Sequence, residues 1–293
     1  MKRILITGAS GLVGSHLMQR AAGRFDTLGL FQSFEPRGLP GRFAPCDLTD
    51  ATAAAAAFAA FRPDIVIHCA AMADSDRCQA DPALARGLNV DVTRLLARQA
   101  RQAGAKFVFL STDILFDGRK GAPYVEGDPP TPLSLYAQTK VEAEDIVRAE
   151  GDHWIIVRTS LIYGPSPRGN RGIDERLGAA IRAGRPIRLF VDEFRSPISA
   201  ANLADVLLEL ADSPHTGLFH VVGAERLSRY EIGMTIAAHY GWPMTTIELV
   251  HVADVLMDPP RPADLAMDMG KALAVLKTRL LGLREGLKQL AGK

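Results

Sequence analysis

The stretch Thr7-Gly8-Ala9-Ser10-Gly11-Leu12-Val13-Gly14 decides how the front half of the chain is read. It follows Arg3–Thr7, an apolar run of strand length, and opens Leu12–Ala22, which is patterned as a helix. Gly8 permits a tight turn, Gly11 lets backbone approach a pyrophosphate, and Gly14 lets the helix pack close to the strand. Ser10, Leu12 and Val13 supply the rest of the turn. The helix amino end meets phosphates with unsatisfied N–H groups and a partial positive charge. A dinucleotide-binding turn is therefore expected here.

Outward from this turn, strand-length runs alternate with helical stretches. Thr27–Phe31, Asp64–His68, Phe107–Ser111 and Trp154–Thr159 read as buried strands; Ala51–Phe61, Pro82–Gly104 and Leu135–Glu150 read as helices. The alternation predicts an α/β fold, a Rossmann-type doubly wound parallel sheet with helices on both faces. After Tyr163 the pattern breaks into the Pro- and Gly-rich loop 164–172. A helix from Asp174, a strand at Ile187–Leu189, a helix–strand pair at Asn202–Asp212 and Gly217–Val222, a helix at Arg229–Tyr240, a strand at Thr246–Val250 and a Leu-rich last helix follow. Residues 1–163 with 194–222 are expected to form the dinucleotide-binding domain; 164–193 with 223–293 form a smaller C-terminal α/β substrate lobe.

Lys plus Arg numbers 34 against 33 for Asp plus Glu, so no long-range field draws this chain to nucleic acid or an anionic membrane. No apolar run reaches membrane-spanning length. Cys46, Cys69 and Cys78 follow no disulfide or metal spacing, and the histidines show none for a metal. The first strand starts at Arg3, which leaves no room for a signal peptide and makes the cytoplasm the expectation.

A second motif, Tyr136-Ala137-Gln138-Thr139-Lys140, places a phenol and an ammonium at i and i+4 on one helix face. A phenol with a reference pKa of about 10 is a poor acid–base group at neutral pH, and a nearby ammonium is expected to draw it down. The two motifs together indicate a nicotinamide-dependent hydride transfer. At the end of the second strand, where NAD enzymes carry an acid for the ribose 2′-hydroxyl, this chain has Gln32. A 2′-phosphate is expected there, with Ser33 donating and Arg37 neutralising, so NADP is preferred; Glu35 keeps NAD open. Arg37 is equally readable as a solvated loop charge.

The Gly-x-x-Gly-x-x-Gly spacing and the Tyr-x-x-x-Lys pair resemble the short-chain dehydrogenase/reductase superfamily in its extended form. That resemblance implies adenine contacts for Asp47 and Leu48, and a small-residue turn, Cys69-Ala70-Ala71, beside the cofactor ribose. Asp47 also reads as a cap for the helix at Ala51. The resemblance gives Lys140 the nicotinamide ribose and makes Thr112 the third catalytic residue, with Tyr136 as proton donor.

Further stretches resemble the dTDP-4-dehydrorhamnose reductase family over nearly the whole chain. They include 62–71, Ser111-Thr112-Asp113-Ile114-Leu115-Phe116-Asp117-Gly118, Pro123-Tyr124-Val125-Glu126, 157–164 and Arg261-Pro262-Ala263-Asp264. The family reduces the 4-keto group of a nucleotide-linked deoxysugar with NADPH or NADH. Departures lie where the family surrounds its sugar: Met72 replaces a Tyr or His, Ala73 a Thr, Ile114 a Tyr and Leu161 a Trp. Lost hydroxyls and aromatic surface alter substrate choice.

Asp113 faces the pocket or caps a loop; Asn170 and Arg171 bind a nucleotide diphosphate or are solvated; Arg261 clamps a phosphate or carboxylate, or makes a surface ion pair. His68 reads as a buried, hydrogen-bonded histidine. Relatives imply a homodimer, although no exposed seam marks one. Two other readings stand beside the reductase. One is a sugar-nucleotide epimerase or dehydratase of the same extended class. The other is a non-catalytic NADP-binding regulatory subunit similar to methionine adenosyltransferase beta, which has a comparable late Arg-Pro element.

Overall fold

The computed structural model describes residues 1–255 and 260–291. Its strands are β1 (Arg3–Thr7), β2 (Asp26–Phe31), β3 (Arg42–Pro45), β4 (Ile65–His68), β5 (Lys106–Thr112), β6 (Trp154–Thr159), β7 (Ile162–Tyr163), β8 (Ile187–Phe190), β9 (Phe194–Arg195), β10 (Ile198–Ser199), β11 (Gly217–His220), β12 (Leu227–Ser228) and β13 (Ile247–Val250). Its α-helices are α1 (Leu12–Ala21), α2 (Ala51–Phe61), α3 (Ser75–Ala80), α4 (Pro82–Arg86), α5 (Val92–Ala103), α6 (Leu135–Ala149), α7 (Ile173–Arg182), α8 (Ala200–Asp212), α9 (Arg229–Tyr240), α10 (Gly270–Leu273) and α11 (Leu283–Ala291).

Seven strands pair in the order β11-β6-β5-β4-β1-β2-β3, all parallel. The order reverses at β1, which pairs with β2 on one side and β4 on the other. Ligands of such sheets bind beyond the carboxyl ends at this reversal. The strands are apolar runs because both faces are covered. Ile4, Ile6, Val108 and Val157 pack with Leu17, Met18 and Leu207 from α1 and α8. Leu5, Val66, Phe109 and Ile156 point the other way, onto Phe58, Leu96 and Val147 from α2, α5 and α6. Each such side chain contributes about 1.5–3 kcal/mol by leaving water.

Helix starts are set by short polar side chains. Asp50 accepts from the Thr52 and Ala53 amides at α2, Ser134 from Ala137 at α6, and Ser199 from Asn202 at α8. The cap of α2 is thus Asp50 and not Asp47, which the sequence offered for that role and which binds Thr49 instead. The helix expected over Pro82–Gly104 runs as α4, a π-helical turn (Gly87–Asp91) and α5. Asn89 explains the widening. Its side chain clamps the Met72 amide (2.8 Å), the Met72 carbonyl (3.1 Å) and the Thr139 hydroxyl (3.0 Å), so the turn is used to aim it.

A separate apolar cluster holds Tyr163, Leu177, Ile181, Ile232, Ile236 and Leu287, and β8 and β13 pair in parallel. Residues 194–195 pair antiparallel with β12, and Phe194 bridges Asp264. They carry Arg195 toward the end of β5. Among the described residues no helix is long and apolar enough to cross a membrane.

Candidate active site

The β1–α1 turn is packed backbone against backbone. Gly8 has φ +67°, and a Cβ there would stand 2.9 Å from the Ala70 nitrogen. A Cβ on Gly14 would stand 2.2 Å from the Gly8 carbonyl oxygen. The glycines therefore let α1 and the Cys69-Ala70-Ala71 segment close on the turn. Gly11 is the N-cap of α1 and offers no side-chain cap, so the first-turn amides face outward without one. Backbone donors at a positive helix end are the donor set a pyrophosphate needs.

Around this turn, Leu48 is buried and Asp47 exposed. Asp47 accepts from the Thr49 hydroxyl (2.7 Å) and amide (3.0 Å). With a further bond from Gln32, these contacts hold its carboxyl below the usual range. Gln32, at the position of the missing acid, thus bonds Asp47 across the strand ends. A cavity of about 860 Å³ opens beyond β2, lined by Ser33, Phe34, Arg37, His16, Ser166 and Pro167 among others. The glycine turn, the uncapped helix and this cavity fit a dinucleotide. Arg37 is exposed and pairs with Glu35 at 3.4 Å, whereas the Ser33 hydroxyl accepts from Arg168 at 3.3 Å.

Thr112 ends β5, and Tyr136 and Lys140 lie one turn apart on α6. Thr112 lies close enough to Tyr136 to oppose the rise of its pKa. Tyr136 sits in an apolar cluster with Met72, Cys78 and Ala85, with Ile114 and Leu135 packed against it. Burial, then the charge of Asp113, pushes its pKa up. This corrects the expectation that the ammonium lowers it. Lys140 instead donates to the Leu110 carbonyl at 2.7 Å and stands 3.8 Å from the Phe109 ring centre. Burial pulls Lys140 down to about 7, against the opposing charge of Glu144.

His68 is buried as expected, and its contacts fix its tautomer. Thr93 donates to the Asn89 carbonyl, so its oxygen accepts from His68 Nε2–H (3.1 Å). Thr7 then donates to Nδ1 (2.7 Å) while accepting the Ala70 amide (3.2 Å). Burial and Lys140 lower His68 to about 3, so it stays neutral and structural.

Charged side chains form the rest of the site. Asp113 is buried and accepts from Ser160 (2.6 Å) and Thr112 (3.3 Å), with Arg195 at 4.0 Å. Burial raises its pKa against Arg195 and these bonds. Its oxygens thus serve the protein's own groups. Arg195 pairs with Glu193 at 3.1 Å and donates twice to the Pro262 carbonyl at 3.2 Å. Arg229 lies 3.8 Å from Glu193. Burial lowers Arg229 to about 10, with Arg195, Arg261 and Arg176 adding repulsion. Arg261, which adds to this repulsion, is exposed. Behind β5, buried Glu144 takes a bidentate pair from Arg158 (2.9 and 2.8 Å) and a bond from Ser111 (2.6 Å). Arg158 also lies 5.2 Å over the Phe116 ring.

Two distant motifs meet here. Gly118 has φ +74°, and a Cβ on it would stand 2.7 Å from the Ala263 nitrogen, so Phe116-Asp117-Gly118 lies against Pro262-Ala263-Asp264. Asn170 and Arg171 are not drawn toward the trio by side-chain contacts. Their amides bond Ser166 (3.3 Å each), Arg171 also bonds Glu175 (2.8 Å), and both side chains are exposed. Asn89, Glu144, Glu193, Arg195, Arg168 and Arg229 escaped the sequence reading. The one local signal was Arg158, a charge inside an apolar strand, which implies a buried partner. Among the described residues no cluster could hold a metal.

The family model of the RmlD substrate binding domain matches residues 1–293. The probable low-salt glycan biosynthesis reductase Agl14 of Haloferax volcanii is 31% identical over 270 residues, covering 90% of this chain and 89% of its own. Methionine adenosyltransferase 2 subunit beta of Xenopus tropicalis is 30% identical over 281 residues, covering 92% and 81%. The crystal structure of a hypothetical dTDP-4-dehydrorhamnose reductase from Sulfolobus tokodaii is 32% identical, covers 97% of this chain and 98% of its own, and superposes with a TM-score of 0.83. With one family model spanning the whole chain and a 32% identical structure superposing over nearly all of it, the chain belongs to the dTDP-4-dehydrorhamnose reductase family.

Proposed function

We propose that this protein reduces the 4-keto group of a nucleotide-linked deoxysugar, with NADPH preferred over NADH. The observation that carries the reading is the buried Tyr136 phenol beside the end of β5, one helical turn from Lys140 and held in its protonated form by burial. A reduction needs a proton donor at the carbonyl oxygen, and a phenol whose pKa is raised arrives with its proton. Thr112 and Tyr136 together stabilise negative charge developing on that oxygen. The nicotinamide cofactor, when bound, supplies the hydride to the carbonyl carbon. The glycine turn and the α1 amides would hold its pyrophosphate, Asp47 and Leu48 its adenine side, and Lys140 its nicotinamide ribose.

On the substrate side, Arg261 with Arg229, Arg195 and Arg176 supplies positive charge for the diphosphate of a sugar nucleotide. The apolar wall of Met72, Ile114 and Leu135 beside Tyr136 suits a deoxy carbon better than a hydroxyl-bearing one.

The test is the oxidation of NADPH and NADH with a panel of nucleotide-linked 4-keto sugars. Turnover is expected with at least one member. Tyr136→Phe is expected to keep cofactor affinity and to slow turnover about 10²–10⁴-fold. An unchanged rate would sink the proton-donor role. A second reading, a regulatory subunit that binds the cofactor without turnover, draws on the similarity to methionine adenosyltransferase 2 subunit beta and on the altered Met72, Ala73, Ile114 and Leu161. Tight cofactor binding with no turnover on any panel member moves the function to it.

A further inference from the structure

We propose that Arg168, rather than Arg37, receives the 2′-phosphate of NADPH and sets the cofactor preference of this chain. The inference rests on the reading that a nicotinamide dinucleotide occupies the β1–α1 turn. The end of β2 is where a Rossmann-type fold reads the ribose 2′ position, and Ser33 stands there. The nearest cation in sequence, Arg37, is 89% exposed and paired with Glu35. Glu35 would repel a phosphate as Arg37 attracts it. Arg168 comes from far downstream, and the acid of its loop, Glu175, is taken up by Ser166, Arg171 and Gly172. Its guanidinium bonds the Ser33 hydroxyl at 3.3 Å and lies 4.7 Å over the Phe34 ring. Among the described residues it forms no ion pair.

The loop that carries Arg168 is built to hold it still. The Gly169 amide donates to the Ser166 carbonyl at 3.0 Å, closing a turn with Pro167 and Arg168 at its centre. Gly169 follows at φ +68°, a conformation that favours glycine. Glu175 anchors the loop: its carboxylate takes the Ser166 amide and hydroxyl (2.6 Å each), the Arg171 amide (2.8 Å) and the Gly172 amide (2.9 Å). His16 on α1 donates Nε2–H to the Pro165 carbonyl at 3.0 Å, which ties the loop to the cofactor helix. Arg168 is therefore presented from a fixed turn onto Ser33 and Phe34, which line the cavity of about 860 Å³ together with Ser166, Pro167 and the Glu35–Arg37 pair.

The chemistry of the pair matches a phosphomonoester. A guanidinium offers a fork of donors to phosphate oxygens, and a serine hydroxyl adds one more. Gln32 is neutral, so the strand-end position itself offers no carboxylate to a free 2′-hydroxyl, and Glu35 in the cavity lining is paired with Arg37. An NADH ribose would leave the Arg168 charge unanswered.

The experiment measures dissociation constants of NADPH and NADH by fluorescence titration of the full chain, without any substrate. For Arg168→Met, NADPH affinity is expected to fall about 10–100-fold and NADH affinity to stay within about 3-fold. Arg168→Lys should recover part of the loss, since it keeps the charge but not the fork. Arg37→Met should shift NADPH binding by less than about 3-fold. Equal losses for both cofactors, or no loss, would show Arg168 to be a surface contact and overturn the proposal. A selective NADPH loss in Arg37→Met alone would overturn it in favour of Arg37. Failure of the unaltered protein to bind either dinucleotide would remove the cofactor reading itself, and this inference with it.

Discussion

The β1–α1 turn and the buried charges behind and beside Thr112 both serve the carboxyl edge of one sheet, and they are made of opposite materials. From Thr7 to Gly14 the site is backbone, and its key residues are those that lack a side chain. From Glu144 and Arg158 to Arg195 and Glu193 it is long charged side chains, drawn from α6, β6, β9 and the segment before β9 and shut away from water. The first region breaks when an atom is added; the second breaks when a partner is taken away.

The larger effect belongs to the second region. Glu144→Gln leaves the Arg158 guanidinium buried with its bidentate partner gone, and is expected to cost about 3–5 kcal/mol in urea unfolding. Replacing both charges, Glu144→Leu with Arg158→Met, should recover most of that loss, because a buried pair exchanged for well-packed apolar groups is often neutral. If the double variant is no more stable than the single one, Arg158 is held by Phe116 and its other neighbours and the pair is not what Glu144 supports.

The glycine turn should give a smaller but more selective effect. Gly14→Ala would put a Cβ 2.2 Å from the Gly8 carbonyl oxygen and 2.8 Å from the Ala9 Cα, both backbone atoms. A loss of about 1–3 kcal/mol is expected, together with weakened dinucleotide binding. Gly87→Ala is the control within the same chain. Nothing lies within 4 Å of its Cβ position, its backbone is helical, and a gain of about 0.5–1 kcal/mol is expected. Equal melting shifts for the two variants would sink the claim that close approach, rather than glycine content, makes the turn.

The same contrast explains what could be read in advance. Gly8, Gly11 and Gly14 act within one turn of chain, so their spacing carries their meaning. Tyr136 and Lys140 share a helix face, so theirs does too, and the alternation of strands and helices gave the sheet for the same reason. Arg195 meets Asp113, and Arg168 meets Ser33, only after the chain has crossed the sheet. No local period encodes those meetings. Asn89 was hidden differently: its role depends on a π-helical turn inside what reads as an ordinary amphipathic helix. The phenol's pKa was misjudged for a related reason. The i, i+4 spacing predicts proximity, but the Leu110 carbonyl and the Phe109 ring, which claim the ammonium, lie on a different element.

Lys140 gives the finest test of the comparison, because it is a charge that the fold holds at a loss. Burial lowers its pKa to about 7 from the 10.5 of an unburied lysine, and the carboxylate of Glu144 only partly opposes this. Between those values the unfolded chain binds a proton that the folded chain has released. Folding stability from this group therefore rises with pH across the window, and the penalty is complete below about pH 7. Lys140→Met removes the penalty. Its stabilisation over the unaltered protein is expected to be greatest near pH 7 and to shrink by about 1 kcal/mol between about pH 7.5 and 8.5 in urea unfolding. A difference that does not change with pH would mean that the ammonium keeps its proton in the fold, held by the Leu110 carbonyl and the Phe109 ring. The glycine turn has no such dependence, since nothing in it titrates. A pH-dependent gain at Lys140 beside a pH-independent loss at Gly14 would separate the part of the site that is stable as built from the part that is strained for its chemistry.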